Sequence, residues 1–275
     1  MAIDNKDGSI VYQEKVHLEP TYFSKNVEAF RIKYLSDGYI VVGFIVKPRN
    51  IDGEAPILIF NRGGSEERSI INTTVLSRLL SFWANQGYVV LASQYRGNDG
   101  GEGKDEFGGS DINDVINLIH VARGLAYVDK EKLCMLGYSR GGMMTYQAIR
   151  NNPNIKAAAV IGGVSDLFDC YNNREEAMKR ILERLVGHPV RNREEYIKRS
   201  AVHWADEINA PTLIFHGGKD WRVPVRQAKE LAHKLEEAKK EYRFVEYPDG
   251  DHGLKSHFRE YSGEILKWFD LYLNE

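Results

Sequence analysis

The sequence predicts an α/β fold: a mostly parallel central sheet of about eight strands, helices on both faces, and an antiparallel N-terminal edge. Three observations predict it. The first fifty residues carry two β-rich runs joined by a hairpin loop. From Ala55 onward, apolar strand-like runs alternate with helical ones. In the middle of the chain, an apolar run enters Gly137-Tyr138-Ser139-Arg140-Gly141 and a helical pattern leaves it.

Each element has its own signal. Val27 to Leu35 and Tyr39 to Lys47 are rich in β-branched and aromatic residues, with Ser36-Asp37-Gly38 as the turn between them. Ile57 to Asn61 reads as a buried strand. Ser69 to Gln86 reads as a helix stopped by Gly87. Tyr88 to Tyr95 is a strand, and Arg96 to Gly109 a Gly-rich loop. Asp111 to Arg123 places Ile112, Val115, Ile116 and Ile119 on one helical face, with Ser110 or Asp111 as its cap. Leu133 to Leu136 is an apolar strand, followed by a helix from about Arg140. Ala157 to Gly163 is a strand of small residues. Pro211 to Phe215 and Tyr242 to Pro248 complete the set. Such repeated strand–helix units imply parallel pairing. The charged helical stretches Asn173 to Val186 and Glu194 to Ile208 exceed what one connection needs. A single domain over residues 1–275 is expected. Residues 166–209 form either a small helical cap or surface helices at the sheet edge.

The chain's 275 residues balance 37 Lys and Arg against 39 Asp and Glu. That excludes nucleic acid or an anionic membrane as a main partner. No apolar run approaches a membrane span, and Met1 to Asp7 has no apolar core of a signal peptide. Two cysteines make no disulfide framework, and the expected location is cytoplasmic.

Gly-x-Ser-x-Gly alone is a weak signal; roughly one unrelated chain in ten of this length would hold it by chance. Between a strand and a helix it forms a nucleophile elbow. The turn lifts Ser139 above the sheet edge, over a helix N-terminus that favours developing negative charge. A serine needs a base, and the base an orienting acid. The α/β-hydrolase order is Ser, then acid, then His. Downstream, Pro211 to Phe215 leads through His216-Gly217-Gly218-Lys219 to Asp220. The run Tyr242 to Pro248 ends in Asp249-Gly250-Asp251-His252-Gly253. Ser139, Asp220 and His252 thus each follow a predicted strand, where ligands bind in open α/β sheets. Asp166 is the rival acid, and His216 and His257 are the rival bases. His216 reads as a buried strand-end residue and His257 as solvent-facing. No His pair has metal-site spacing, and no metal or cofactor is expected.

The N–H of Arg140 is the expected first donor to an oxyanion. Arg62, Arg96 and Arg140 sit on loops at one predicted sheet edge. They either pair with local acids such as Asp99, Glu102, Asp105 and Glu106, or recognise a polar substrate group. Tyr138 and Trp221 either line a substrate pocket or pack in the core.

The chain resembles the catalytic domain of the prolyl oligopeptidase family and the related dienelactone-hydrolase-like esterases. The resemblance lies in Ser36-Asp37-Gly38 before Gly43, Phe60-Asn61-Arg62-Gly63-Gly64, Tyr95-Arg96-Gly97 and Gly108-Gly109 before Asp114. It continues through Gly137 to Gly142, His216-Gly217 with Asp220 and Val223-Pro224, and Gly250-Asp251-His252-Gly253. It covers roughly residues 27–274 and implies an α/β-hydrolase fold with a Ser139–His252–Asp220 triad. Two departures stand out. Prolyl oligopeptidases carry a β-propeller for which this chain has no room. Where prolyl oligopeptidase has an oxyanion-hole Tyr, this chain has Arg62, so a backbone N–H of Arg62 or Gly63 becomes the second donor.

These features predict a serine hydrolase, with a carboxylesterase as the first reading and a short-peptide peptidase or aminopeptidase as the alternative. A non-catalytic ligand-binding relative would lack part of the triad. The expected partner is a small ester or short peptide; oligomeric state is left open.

Overall fold

Asp37 and Gly38 both have positive φ, 52° and 79°. That is what a two-residue hairpin turn demands to match the twist of its strands. The turn joins β2 (Val27–Ser36) to β3 (Tyr39–Pro48), and a strand before them, β1 (Ile10–Val16), pairs antiparallel with β2. The computed structural model describes residues 6–150, 152 and 154–274, and these divide into two units.

The first unit holds residues 6–105 and 111–134. After β3 come β4 (Ala55–Asn61) and a helical stretch, α1 (Thr73–Val75) running through a π turn into α2 (Ser81–Asn85). Helix formation begins at Thr73, four residues later than the sequence pattern indicates. Ser69 has φ 59°, and the Asn72 side chain caps the N–H of Val75. The π turn coincides with a Ser81 hydroxyl that donates to Leu76 O, five residues back. Next are β5 (Val89–Ser93), α3 (Ile112–Arg123) and the start of β6 (Val128–Tyr138). Asp111 holds the N-cap position of α3, but its side chain accepts no capping bond from the first turn. The strand order is β1-β2-β3-β5-β4-β6; β3 pairs antiparallel with β5, and β4 parallel with β5. Every residue of β5 is buried, as a strand covered on both faces requires.

The second unit holds residues 106–110 and 135–274. The end of β6 leads into α4 (Arg140–Ile149), then β7 (Ala157–Ile161). The 166–209 stretch contains α5 (Leu167–Asn173), α6 (Glu176–Leu185), α7 (Arg193–Lys198) and two 3-10 turns. It packs around Tyr196, whose ring centroid lies 5.1 Å from that of Phe168 and 6.1 Å from that of Tyr171. Then come β8 (Thr212–Gly217), α8 (Arg226–Glu237), β9 (Tyr242–Tyr247) and α9 (Phe258–Leu273). The order here is β6-β7-β8-β9, with β7–β8 and β8–β9 parallel. β7 and β8 are buried throughout. Among the described residues there are nine strands, one more than expected. The sheet is mostly parallel with antiparallel N-terminal strands. Among the described residues no helix is long and apolar enough to cross a membrane.

Candidate active site

The site is built where three strands of the second unit end. β6 ends at Tyr138, and Ser139 turns the chain into α4 with φ 55° and ψ −121°. A side chain rarely adopts that backbone, so the surroundings must hold it. The N–H of Ser139 donates to Ile161 O at 3.0 Å, and its carbonyl accepts from Gly142 at 2.9 Å and Val164 at 3.2 Å. The turn is tight because Gly137 has no side chain: a Cβ there would lie 2.3 Å from Gly141 O. Arg140 is the first residue of α4, so its N–H belongs to the first helical turn.

Asp220 lies three residues past β8. Its Oδ1 accepts the N–H groups of Arg222 and Val223 at 2.8 and 2.9 Å, an arrangement that locks the loop around its own carboxylate. Its Oδ2 faces His252 Nδ1 at 2.7 Å. Burial pushes the Asp220 pKa up. Hydrogen bonds from His216 and His252, the His252 charge and the Val223 N–H outweigh that and hold it well below the usual carboxylate range.

His252 lies beyond β9, on the turn that Gly250 opens. A carboxylate only accepts, so its Nδ1 carries the proton. Nε2 then presents a lone pair to Ser139 Oγ at 3.0 Å. Hydroxyl, imidazole and carboxylate form one continuous hydrogen-bonded line, able to take a proton from the serine and hold the resulting imidazolium. The seat beneath it is Gly162, which follows β7 with φ 55°. Read along the chain, Gly162 belongs to a strand, and its part in the site goes unseen. The Gly162-Gly163 pair at the strand end was the available signal.

The rivals are otherwise engaged. Asp166 caps α5, its Oδ1 accepting from Phe168 and Asp169 N–H at 2.8 and 3.1 Å. His216 is fully buried. His257 is not solvent-facing as expected: its ring stacks on Tyr247 with centroids 4.3 Å apart.

The expected substrate residues separate clearly. Trp221 is 65% exposed, and the guanidiniums of Arg174 and Arg222 lie 5.7 and 5.1 Å from its ring centre. Tyr138, half-buried, shares a 2.6 Å hydroxyl contact with Tyr261 of α9. The Arg140 guanidinium lies 4.8 Å from the Phe107 ring centre.

Arg96 and Arg62 belong to the first unit. Arg96 is committed to Asp114 Oδ1 at 2.7 Å and Asp37 Oδ2 at 2.8 Å, with 4% of its side chain exposed. Burial opposes its charge, but the two carboxylates outweigh that and keep it a cation. The sequence offers this guanidinium to a substrate; the structure gives it to two aspartates, neither among the partners expected. Arg62 donates to the carbonyls of Gly63, Glu66, Arg68 and Gln94, the last at 2.6 Å, so its charge secures the loop after β4. Its own carbonyl accepts the Tyr95 hydroxyl. Gly63 lies in the same loop.

The fold and this line of three residues define the class of an α/β serine hydrolase. Comparison with known proteins identifies the family: the sequence signature of the prolyl oligopeptidase family, peptidase S9, matches residues 75–275, and the chain belongs to that family. It is 33% identical to the uncharacterized peptidase YtmA of Bacillus subtilis (strain 168), over 79% of this chain and 83% of that one. Uncomplexed acylaminoacyl peptidase of Pyrococcus horikoshii superposes with a TM-score of 0.76 at 22% identity. That likeness covers 90% of this chain and 42% of the larger one, so the chain spans less than half of that enzyme. A Klebsiella pneumoniae subsp. pneumoniae protein classed with the dienelactone hydrolases superposes with a TM-score of 0.66 at 20% identity, over 90% of this chain and 99% of that one. The chain is a serine hydrolase of the prolyl oligopeptidase family.

Proposed function

We propose that this serine hydrolase is a peptidase that cleaves short peptides through an acyl-enzyme, with Ser139 as nucleophile, His252 as base and Asp220 as its orienting acid. The single observation that carries the mechanism is the continuous contact from Ser139 Oγ through His252 to Asp220, 3.0 and 2.7 Å. Membership of a peptidase family, with a peptidase relative matched over most of its length, supports an amide over an ester substrate and reverses the order of the sequence-based readings.

Ser139 Oγ attacks the scissile carbonyl carbon while His252 Nε2 takes the hydroxyl proton. The carbonyl oxygen becomes an oxyanion. We assign one donor to the backbone N–H of Arg140, at the start of α4. As the C–N bond breaks, His252 returns the proton to the leaving amine. Water then attacks the acyl-enzyme, giving its proton to His252, and the C–O bond to Ser139 breaks with that proton passing to Oγ. Asp220 stays ionised and keeps Nδ1–H directed at itself. No step calls for a cofactor. We place the enzyme in the cytoplasm; both cysteines, Cys134 and Cys170, are buried, as suits a reducing compartment.

The test compares aminoacyl and dipeptidyl amides with their matching p-nitrophenyl esters, alongside fluorophosphonate labelling of Ser139. The peptidase reading expects amide turnover within about a hundredfold of the ester, a gap of about 2.7 kcal/mol in barrier. Rapid ester turnover without amide cleavage restores the carboxylesterase. Absence of labelling removes the hydrolytic reading altogether.

A further inference from the structure

His216 is the last side chain of β8 before Gly217, and none of its surface is exposed. An imidazole buried inside a sheet is costly unless its polar atoms are used. Its Nε2 lies 2.7 Å from Val223 O. A carbonyl oxygen only accepts, so the proton is on Nε2. The same nitrogen lies 3.3 Å from Asp220 Oδ2, the oxygen that holds His252. Nδ1 has no hydrogen-bond partner among the described residues. Only one edge of the ring is therefore in use, and that edge faces the acid.

We propose that His216 is a positioning residue for this site: its Nε2–H, shared between Val223 O and Asp220 Oδ2, fixes the carboxylate that orients His252. The proposal rests on the triad reading above. The geometry closes a ring. Val223 N–H donates to Asp220 Oδ1, Val223 O accepts from His216, and His216 faces Asp220 Oδ2. Arg222 N–H adds a second donor to Oδ1. With both oxygens held, the carboxylate cannot rotate about its Cβ–Cγ bond, and Oδ2 stays in line with His252 Nδ1. Two imidazoles then share one carboxylate oxygen. His252 passes a proton between serine and leaving group, while the His216 Nε2–H serves only as an anchor. A packing role alone would be served by an apolar side chain, which would leave no Nδ1 unpaired in the interior.

The experiment uses the full chain and two substitutions, His216→Leu, which removes the donor, and His216→Gln, whose amide N–H reaches the same place. Fluorophosphonate labelling of the parent and of Ser139→Ala runs beside them. The expected result is a fall in kcat of about ten- to a hundredfold for His216→Leu, the effect of one hydrogen bond to a charged group. KM should stay within twofold, with most of kcat recovered in His216→Gln. A packing role would lower melting temperature and leave kcat per folded molecule unchanged in both. In the parent, 15N-labelled histidine spectra should show His216 protonated at Nε2. That readout needs no variant and decides the matter if His216→Leu does not fold: a proton on Nδ1 overturns the proposal. Parental kcat in His216→Leu, or equal losses in both variants, also overturns it. A parent that is not labelled overturns the triad reading and this proposal together; a labelled parent with an indifferent His216 overturns this proposal alone.

Discussion

Gly162 makes the notch that His252 occupies: a Cβ on Gly162 would lie 2.9 Å from the His252 carbonyl oxygen, 3.3 Å from its Nδ1 and 3.4 Å from Asp220 Oδ2. One missing methyl group thus sets the height at which base and acid meet. The same residue has φ 55°, a backbone that only glycine adopts without cost.

Gly162→Ala therefore carries two penalties. Backbone strain should cost about 1–3 kcal/mol, lowering the melting temperature by several degrees. The displaced His252 should lower kcat by about tenfold or more, with a smaller change in KM, since sub-ångström misplacement of a base is felt in the chemical step. Steady-state kinetics and thermal melts check it; parental kcat in a folded variant would show that His252 is not held by this contact.

Ser139 stores strain of the same kind at φ 55° and ψ −121°. Ser139→Gly should be more stable than Ser139→Ala by about 1 kcal/mol, and both should lose covalent labelling and turnover. Equal or reversed melting temperatures would mean that the elbow is relaxed.

Asp220 and Asp166 should respond differently. Asp220→Asn offers an amide where the His252 Nδ1–H needs an acceptor, and kcat should fall by about four orders of magnitude. Asp166→Asn keeps a capping oxygen at the start of α5 and should leave kcat within a few-fold of the parent. The Asp220 carboxyl is held below its unfolded pKa, so its ionised form favours the fold. That contribution is complete above the unfolded value of about 3.9 and is lost as pH falls through the lower folded value. Between about pH 4 and 2 the parent should lose stability more steeply than Asp220→Asn. Parallel melting curves across that range would contradict it.

Arg62 is 2% exposed and its guanidinium serves four carbonyls of its own unit. Arg62→Ala should destabilise by about 3 kcal/mol, because the Gln94, Glu66 and Arg68 carbonyls lose a charged donor. Arg62→Lys should recover little, since an ammonium cannot reproduce the planar fork. Denaturant titration measures both; a loss below about 0.5 kcal/mol would show that the loop stands without the guanidinium.

The sequence by itself determined the features that local pattern encodes. Turn chemistry placed the hairpin at Ser36-Asp37-Gly38, one residue wider than the turn formed, and apolar runs placed β4 to β9 within a few residues of their true ends, save the start of β6. The strand–Ser139–helix order and the later Asp220 and His252 were legible because an elbow and two strand-end loops leave short, dense signatures. Tertiary structure alone decided which charged and small residues work together. Arg96 meets Asp37 and Asp114, 59 and 18 residues away along the chain, and no local pattern names that partner. The start of the helical stretch at Thr73 depended on a capping side chain competing with periodicity. His257 was claimed by the ring face of Tyr247, the last residue of β9, where periodicity alone had pointed it at solvent. Gly162 and His216 are ordinary strand residues in one dimension. Their roles arise only when parallel strands bring the ends of β7, β8 and β9 side by side, because a steric notch and a shared proton are properties of distance in space, which sequence separation does not encode.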